Sequence, residues 1–298
     1  MKKVLLVYYT GTYNTRYLTS LIEERFVNDG YKVDKIEINS DSVIQSTLEY
    51  DIIGFGYPIY GFNSPLPFNK FVKLLTFKEN QKYFIYKNSG ETFAMNNPSS
   101  NVLIRHLNKF KANLIGEYHY VMPYNIHFRF DDAFVKEILE KNNKLLDIMF
   151  HNFKHDIVFK IKSNQIYDTA AFFVGIQKIG GNVNSFLYKV DEDKCIKCNK
   201  CVNTCPHNNI YIKNGKIKFH HHCDMCMRCS FFCPTDAIKI GFLQGWKVNG
   251  AYNFKKIIND ENLKTPYITK DSKGFYKCFI KHFEFIDKEY EKIQKDSK

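Results

Sequence analysis

The sequence has 298 residues, 44% hydrophobic and 25% charged, with a formal net charge of +12. That length allows two modest domains with separate cores. The composition excludes a disordered or low-complexity chain, and no apolar run approaches the roughly 20 residues that span a bilayer. The start, Met1-Lys2-Lys3 and then Val4 to Tyr9, has too short an apolar part for a secretory leader and runs directly into the polar Thr10 to Arg16. A cytoplasmic protein is expected.

In chain order, Val4-Leu5-Leu6-Val7-Tyr8-Tyr9 is a continuous apolar run of the kind buried on both faces of a parallel sheet. Thr10-Gly11-Thr12-Tyr13-Asn14-Thr15 follows, then a helical stretch from Arg16 to Asn28. Further strands are predicted at Lys32 to Ile38, Asp51 to Phe55, Tyr83 to Tyr86 and Leu114 to Val121, with helical patterns between them and at Asp131 to Phe153. Strands alternating with helices predict a doubly wound α/β domain over residues 1–155. Ligands of such a fold sit at the carboxyl ends of the strands, near the reversal of strand order. The hydroxyl-rich loop Thr10 to Thr15 stands there, and its hydroxyls and the free amides of the next helix suit a phosphate. Residues 156–189, with Gly180-Gly181 and the apolar run Ala170 to Val174, read as an interdomain connection that packs on its neighbours.

Nine cysteines are present, and eight form two copies of one pattern. The first reads Cys195-Ile-Lys-Cys198-Asn-Lys-Cys201-Val-Asn-Thr-Cys205-Pro206, the second Cys223-Asp-Met-Cys226-Met-Arg-Cys229-Ser-Phe-Phe-Cys233-Pro234. Three thiolates at this spacing wrap one face of a cubane cluster, while the fourth, followed by proline, reaches the other cluster. Cys195, Cys198, Cys201 and Cys233 are therefore predicted on one 4Fe-4S cluster, and Cys223, Cys226, Cys229 and Cys205 on its twin. Zinc modules use ligand pairs separated by a dozen or more residues, and disulfides between such close cysteines would be strained. Asn214-Gly215 between two apolar runs signals a hairpin, and Ala237 to Ile240 mirrors Asn209 to Ile212. This duplication resembles the bacterial two-cluster ferredoxins, a small α+β domain, across residues 190–241. Residues 242–298 form a C-terminal extension with Trp246 and a charged helical tail. His220-His221-His222 is expected as an exposed hairpin tail and Cys278 as a buried structural thiol.

The first loop alternates Thr with Gly and ends in Asn14-Thr15, and in this the N-terminal part resembles the flavodoxins. Gly54-Phe55-Gly56-Tyr57-Pro58-Ile59-Tyr60 and Asn88-Ser89-Gly90-Glu91 stand where flavodoxins grip the flavin ring. The chain as a whole is similar to the flavodoxin–ferredoxin fusion family. That resemblance implies FMN, with Thr10, Gly11, Thr12, Asn14 and Thr15 at its phosphate and Tyr57, Pro58, Tyr60, Asn88, Ser89 and Gly90 at its ring. Flavodoxin loops usually carry glycine where Tyr13 stands, so its backbone must avoid positive φ or carry strain. A domain that keeps the fold for docking and has lost flavin is the other reading of that departure.

Joined, the two halves predict an intracellular electron-transfer protein working between a protein donor and a protein acceptor, because a flavin exchanges two electrons and a cluster one. No Gly-x-Gly-x-x-Gly opens a helix, so no nicotinamide site is expected. A reductase of a small substrate, such as a quinone or nitroaromatic, is an alternative, although no catalytic residue stands out. Residues 181–298 carry 21 basic and 13 acidic side chains, so the basic surplus gathers around the cysteines. An acidic redox partner and a lysine-rich solvated surface both fit that surplus. Nucleic acid fits it less well, because no helix-turn-helix, finger or RNA-recognition signature accompanies it.

Overall fold

A computed structural model describes residues 1–43, 46–174 and 177–296. The first part alternates β1 (Lys3–Tyr8), α1 (Asn14–Asn28), β2 (Lys32–Glu37), β3 (Ile52–Pro58), α2 (Leu66–Val72), β4 (Lys82–Ser89), α3 (Asn101–Asn108), β5 (Asn113–Val121) and α4 (Asp132–Lys154). The five strands are parallel in the order β2-β1-β3-β4-β5, the flavodoxin-like doubly wound order. Side chains alternate between the two faces along each strand. Leu5, Val7, Ile53, Phe55 and Ile85 pack toward α2 and α3, whereas Val4, Leu6, Phe84, Tyr86 and Tyr118 pack toward α1 and α4.

β3 runs on to Pro58 and β4 to Ser89, beyond the expected ends at Phe55 and Tyr86. Gly54 and Gly56 make this possible: a Cβ on either would collide with the ring of Phe84 or Tyr86, which lies across the bare backbone. The longer strand corrects one site residue. Tyr57 keeps the alternation, shares the face of Ile53 and Phe55, and is buried with its ring centroid 4.7 Å from that of Phe68. It therefore stands away from the place expected for it against a flavin ring. Between β4 and β5, Lys87 and Glu117 form a fully buried ion pair at 2.8 Å. Lys87 Nζ also donates to the Asn97 carbonyl at 2.7 Å, which ties the sheet to the turn Ala94–Ser100.

After α4 the chain follows the outer edge of β5, where the Glu117 amide donates to the Phe159 carbonyl at 2.7 Å. α5 (Gln165–Val174) and α6 (Gln177–Ser185) come next. Asn63 Nδ2 donates to the Ala171 carbonyl at 2.9 Å, so this segment is fastened to the loop after β3. The cysteine-rich segment holds β6 (Tyr188–Val190), α7 (Lys200–Asn203), the hairpin β7 (Ile210–Lys213) and β8 (Lys216–Phe219), α8 (Arg228–Phe231) and β9 (Ile238–Ile240). β6 pairs antiparallel with β9. Asn214 and Gly215 at the hairpin tip have φ of 52° and 70°, the paired positive angles of a tight two-residue turn.

The C-terminal extension does not trail away. α9 (Phe254–Ile258) and α10 (Lys277–Asp296) return to α4, and Ile257, Ile268, Phe279, Phe283 and Ile286 join the core formed by Phe134 and Ile138. Glu137 on α4 accepts the amides of Tyr267 and Ile268, each at 2.8 Å. The cysteine-rich segment is thus enclosed at both ends by chain belonging to the α/β core. Cys278 is half-buried at the start of α10 rather than fully buried. Among the described residues no helix is long and apolar enough to cross a membrane.

Candidate functional site

The duplicated cysteine pattern is a duplicated backbone. Non-glycine residues take left-handed φ at Lys197 and Met225, at Asn199 and Met227, and at Asn208 and Asp236, each pair 28 residues apart. These turns place the thiols. Cys195, Cys198, Cys201 and Cys233 surround one cavity beside Ile217 and Ile238. Cys205, Cys223, Cys226 and Cys229 surround a second beside Tyr188 and Phe219. The fourth cysteine of each repeat thus sits with the first three of the other.

The donor sets have the chemistry of cluster cradles. Backbone amides of Asn209, Met225 and Ala237 donate to the sulfurs of Cys205, Cys223 and Cys233 at 3.3, 3.3 and 3.2 Å. Such bonds orient and stabilise thiolates. Burial, with neighbouring thiols adding to it, pushes Cys201 up to about 11 and Cys223 up to about 12. Burial lifts Cys226 to about 11 as well. A cationic core bound there would offset that rise for these three thiols. Among the described residues no three His, Cys, Asp or Glu side chains converge to hold a single metal ion.

A cavity of about 440 Å³ opens at the carboxyl ends of the strands. Thr10, Gly11, Thr12, Asn14 and Thr15 line it after β1, Pro58 and Tyr60 at and just beyond the end of β3, and Asn88, Ser89 and Gly90 at the end of β4. Its size suits a nucleotide-sized cofactor. Thr10 is buried and its Oγ1 has no hydrogen-bond partner among the described residues. Asn96 Oδ1, also on the wall, is buried and unpartnered likewise. The N-terminus of α1 carries no side-chain cap, which leaves its amides free for an anion. These orphaned groups fit a flavin phosphate and a polar ring edge. Other hydroxyls and amides of the loop are engaged within the protein. Thr15 Oγ1 donates to Asn88 Oδ1 at 2.8 Å, Asn14 Nδ2 to the Pro123 carbonyl at 2.8 Å, and Asn125 Nδ2 to Thr12 Oγ1 at 3.1 Å.

Tyr13 takes the strained alternative, with φ of 70°. Its ring leaves the cavity and lies 5.0 Å from the Phe232 ring, with the Arg16 guanidinium 4.0 Å and the Arg228 guanidinium 4.6 Å away.

Sequence reasoning missed much of the wall. Tyr124, Asn125 and His127 come from the loop after β5, Met225 from between two cysteines, and Leu243 and Trp246 from the C-terminal extension. The His127 amide donates to the Trp246 carbonyl at 2.7 Å and their rings lie 5.5 Å apart. The one available signal was the chain's single tryptophan, set just after the second repeat. The second cradle abuts this wall. A Cβ on Gly11 would lie 2.7 Å from the Cys226 carbonyl oxygen, so the absence of a side chain there lets the two loops touch. Tyr9 Oη lies 2.9 Å from His207 Nε2, which is 3.1 Å from Asp224 Oδ2. Burial, then the Arg228 charge, pulls His207 down to about 4, and burial lifts Asp224 to about 6. Cys198 of the first cradle, by contrast, is exposed. His220, His221 and His222 are exposed, as expected of a hairpin tail, and two of the rings stack on neighbours: His221 on Phe186 with centroids 3.7 Å apart, and His220 on Tyr211 at 4.3 Å.

Comparison with known proteins adds the following. The family model described as a 4Fe-4S binding domain matches residues 188–211. Over 55 residues the chain is 40% identical to a ferredoxin of Methanothermococcus thermolithotrophicus, a stretch that is 17% of this chain and 92% of that protein. Over 60 residues it is 35% identical to an NADPH archaeal-type glutamate synthase of Dehalococcoides mccartyi, 19% of this chain but only 12% of that relative's length. Among solved structures, oxidised Flavodoxin 1 from Bacillus cereus aligns with a TM-score of 0.38 at 19% identity, over 52% of this chain and 99% of that one. The near-complete match to a ferredoxin decides the family: the chain belongs to the ferredoxins, its 4Fe-4S binding domain joined to an α/β domain of flavodoxin-like strand order.

Proposed function

We propose that this chain is an electron-transfer protein that carries two 4Fe-4S clusters and one FMN and works between a protein donor and a protein acceptor. The observation that carries the reading is the contact of one four-thiol cradle with the wall of a cavity that has orphaned phosphate-type donors. Membership of the ferredoxin family supports the electron-transfer role itself. When bound, a flavin exchanges electrons in pairs and 4Fe-4S clusters exchange them singly. The work of the chain's own residues is to place those groups. Cys205, Cys223, Cys226 and Cys229 would hold the inner cluster, and Cys195, Cys198, Cys201 and Cys233 the outer one. Thr10 and the α1 amides would hold the phosphate, Asn96 and the Asn88–Gly90 loop the ring edge. Met225 lines the cavity, and the close Gly11–Cys226 contact joins its wall to the inner cradle. A redox partner would meet the outer cradle, where Cys198 is exposed beside the exposed Lys194, Lys197 and Lys200. Those lysines favour an acidic partner surface.

Anaerobic reconstitution of the full chain, with iron, sulfide and flavin quantified, tests the reading. About eight irons, eight sulfides and one FMN per chain are expected. Stoichiometric zinc without visible charge-transfer absorbance would sink the clusters. No FMN uptake at millimolar ligand would leave a ferredoxin with a docking domain.

A further inference from the structure

We propose that Arg228 is a positioning residue that couples the phosphate loop to the inner cluster cradle, so that FMN and that cluster stabilise one another; the inference rests on the function proposed above. Arg228 lies between two cysteines of the inner cradle, is only 6% exposed, and spends its guanidinium on backbone carbonyls. Nε donates to the Gly11 carbonyl at 2.6 Å, Nη2 to the Thr10 carbonyl at 2.6 Å and Nη1 to the Thr204 carbonyl at 3.0 Å. One planar fork thus fastens two consecutive carbonyls of the phosphate loop to the residue just before Cys205. A guanidinium can do this because its donors are fixed in one plane, which an ammonium cannot match. Fastening the Thr10 and Gly11 carbonyls sets the orientation of the peptides that lead into the uncapped amides of α1, where the phosphate would bind.

The duplication supplies an internal comparison. The position equivalent to Arg228 in the first repeat is Lys200, which is exposed and makes no such contact with the α/β domain among the described residues. Ligating a cluster therefore does not itself call for a buried arginine there. Docking does. The Tyr13 ring, held between the Arg228 and Arg16 guanidinium groups and beside Phe232, belongs to the same assembly. So does Glu37, which accepts from Arg16 Nε and Nη2 at 2.6 Å each and stands 3.7 Å from Arg228. The Ser40 amide, donating to the Pro206 carbonyl at 2.9 Å, closes the contact from the loop after β2.

Arg228 follows directly on the turn that the inner cluster would organise, where Met225 and Met227 flank Cys226 with φ of 50° and 62°. Linkage makes the coupling reciprocal: whatever factor the assembled cluster adds to FMN affinity, FMN adds to retention of that cluster. The test uses the full chain with both clusters reconstituted, and follows iron release to a chelator with and without FMN. In the wild type, FMN should raise about fivefold or more the chelator concentration that removes one half of the iron at equilibrium, and leave the other half unchanged. Arg228→Ala should abolish that protection and weaken FMN binding about tenfold, with iron content close to wild type at the outset. Where alanine costs the cluster itself, Arg228→Gln keeps bulk and one donor group; it should retain the iron and still lose the protection. A merely structural arginine would lower iron content without uncoupling the two sites. Protection that persists in a variant, or FMN affinity within about twofold of wild type, overturns the coupling and leaves the proposed function standing. Failure of the wild type to bind FMN overturns both.

Discussion

At the scale of single residues, Thr10 and Tyr13 are two places in the cavity's first loop where the chain departs from what local stability would choose. A buried hydroxyl without a partner costs about 1–3 kcal/mol, and Thr10 Oγ1 has none among the described residues. Thr10→Val should therefore raise the melting temperature of flavin-free, cluster-loaded protein while lowering FMN affinity about tenfold or more, as befits a lost hydrogen bond to a charged group. A variant that loses both stability and affinity would show that the hydroxyl has a structural partner. Tyr13 carries left-handed strain of about 1–2 kcal/mol. Its ring contacts with Phe232, Arg16 and Arg228 are worth about 0.5–2 kcal/mol each and offset that strain. Tyr13→Gly removes strain and contacts together, whereas Tyr13→Leu removes the contacts and keeps the strain. Anaerobic melting should rank the leucine variant lowest, about 1 kcal/mol or more below glycine. Equal stability of the leucine variant and the wild type would contradict the account.

At the scale of elements, the strands and the two longest helices of the α/β domain were legible because apolar runs and periodicity report burial directly. The ends of β3 and β4 were not. Gly56 and Pro58 read locally as a loop, and the ring of Tyr86 on the neighbouring strand, lying against Gly56, shows why the strand runs on through them. The longer strand also settles Tyr57: as a strand residue it shares the face of Phe55 and packs on Phe68, away from the cavity. The return of the C-terminal extension onto α4 was equally illegible, since a charged amphipathic helix does not declare its partner. Glu137 is the hinge pin of that return, and burial raises its carboxyl above the ordinary value. A raised folded-state value means the native state binds the proton more tightly than the unfolded chain does. Its contribution to stability is then fullest below the ordinary carboxylate value and declines as pH rises through the raised one. Glu137→Gln keeps an acceptor for the amides of Tyr267 and Ile268 without that titration, so the decline in stability over this window should flatten. Glu137→Ala should cost about 1–3 kcal/mol at every pH, because the two amides lose their acceptor. Unchanged pH dependence in the glutamine variant would assign the slope to another group.

At the scale of the whole molecule, the gathering of eight cysteines into two crossed sets of four was legible from their spacing, and the cavity behind the loops after β1 and β4 from the strand order. The arrangement of the two parts was not legible. It depends on residues far apart in sequence, such as Arg228 against Thr10 and Gly11 or Trp246 against His127, and no local pattern links them. The one trace in the sequence is the asymmetry between Arg228 and Lys200 at the same position of two otherwise parallel repeats. That arrangement makes the two cradles inequivalent: one is pressed against the cavity wall and the other opens to solvent at Cys198. Two single substitutions separate them. Cys205→Ala and Cys198→Ala should each reduce iron from about eight to about four per chain. Their effects on the cavity should differ. Loss of the inner cluster frees the loop that carries Arg228 and should weaken FMN binding about fivefold or more. Loss of the outer cluster leaves that loop held and should leave FMN affinity within about twofold. Isothermal titration of FMN into the two variants, each with its iron measured, checks the difference. Equal weakening in both would mean that the inner and outer positions are not energetically distinct, and the electron route from cavity to inner to outer cradle would lose its structural basis.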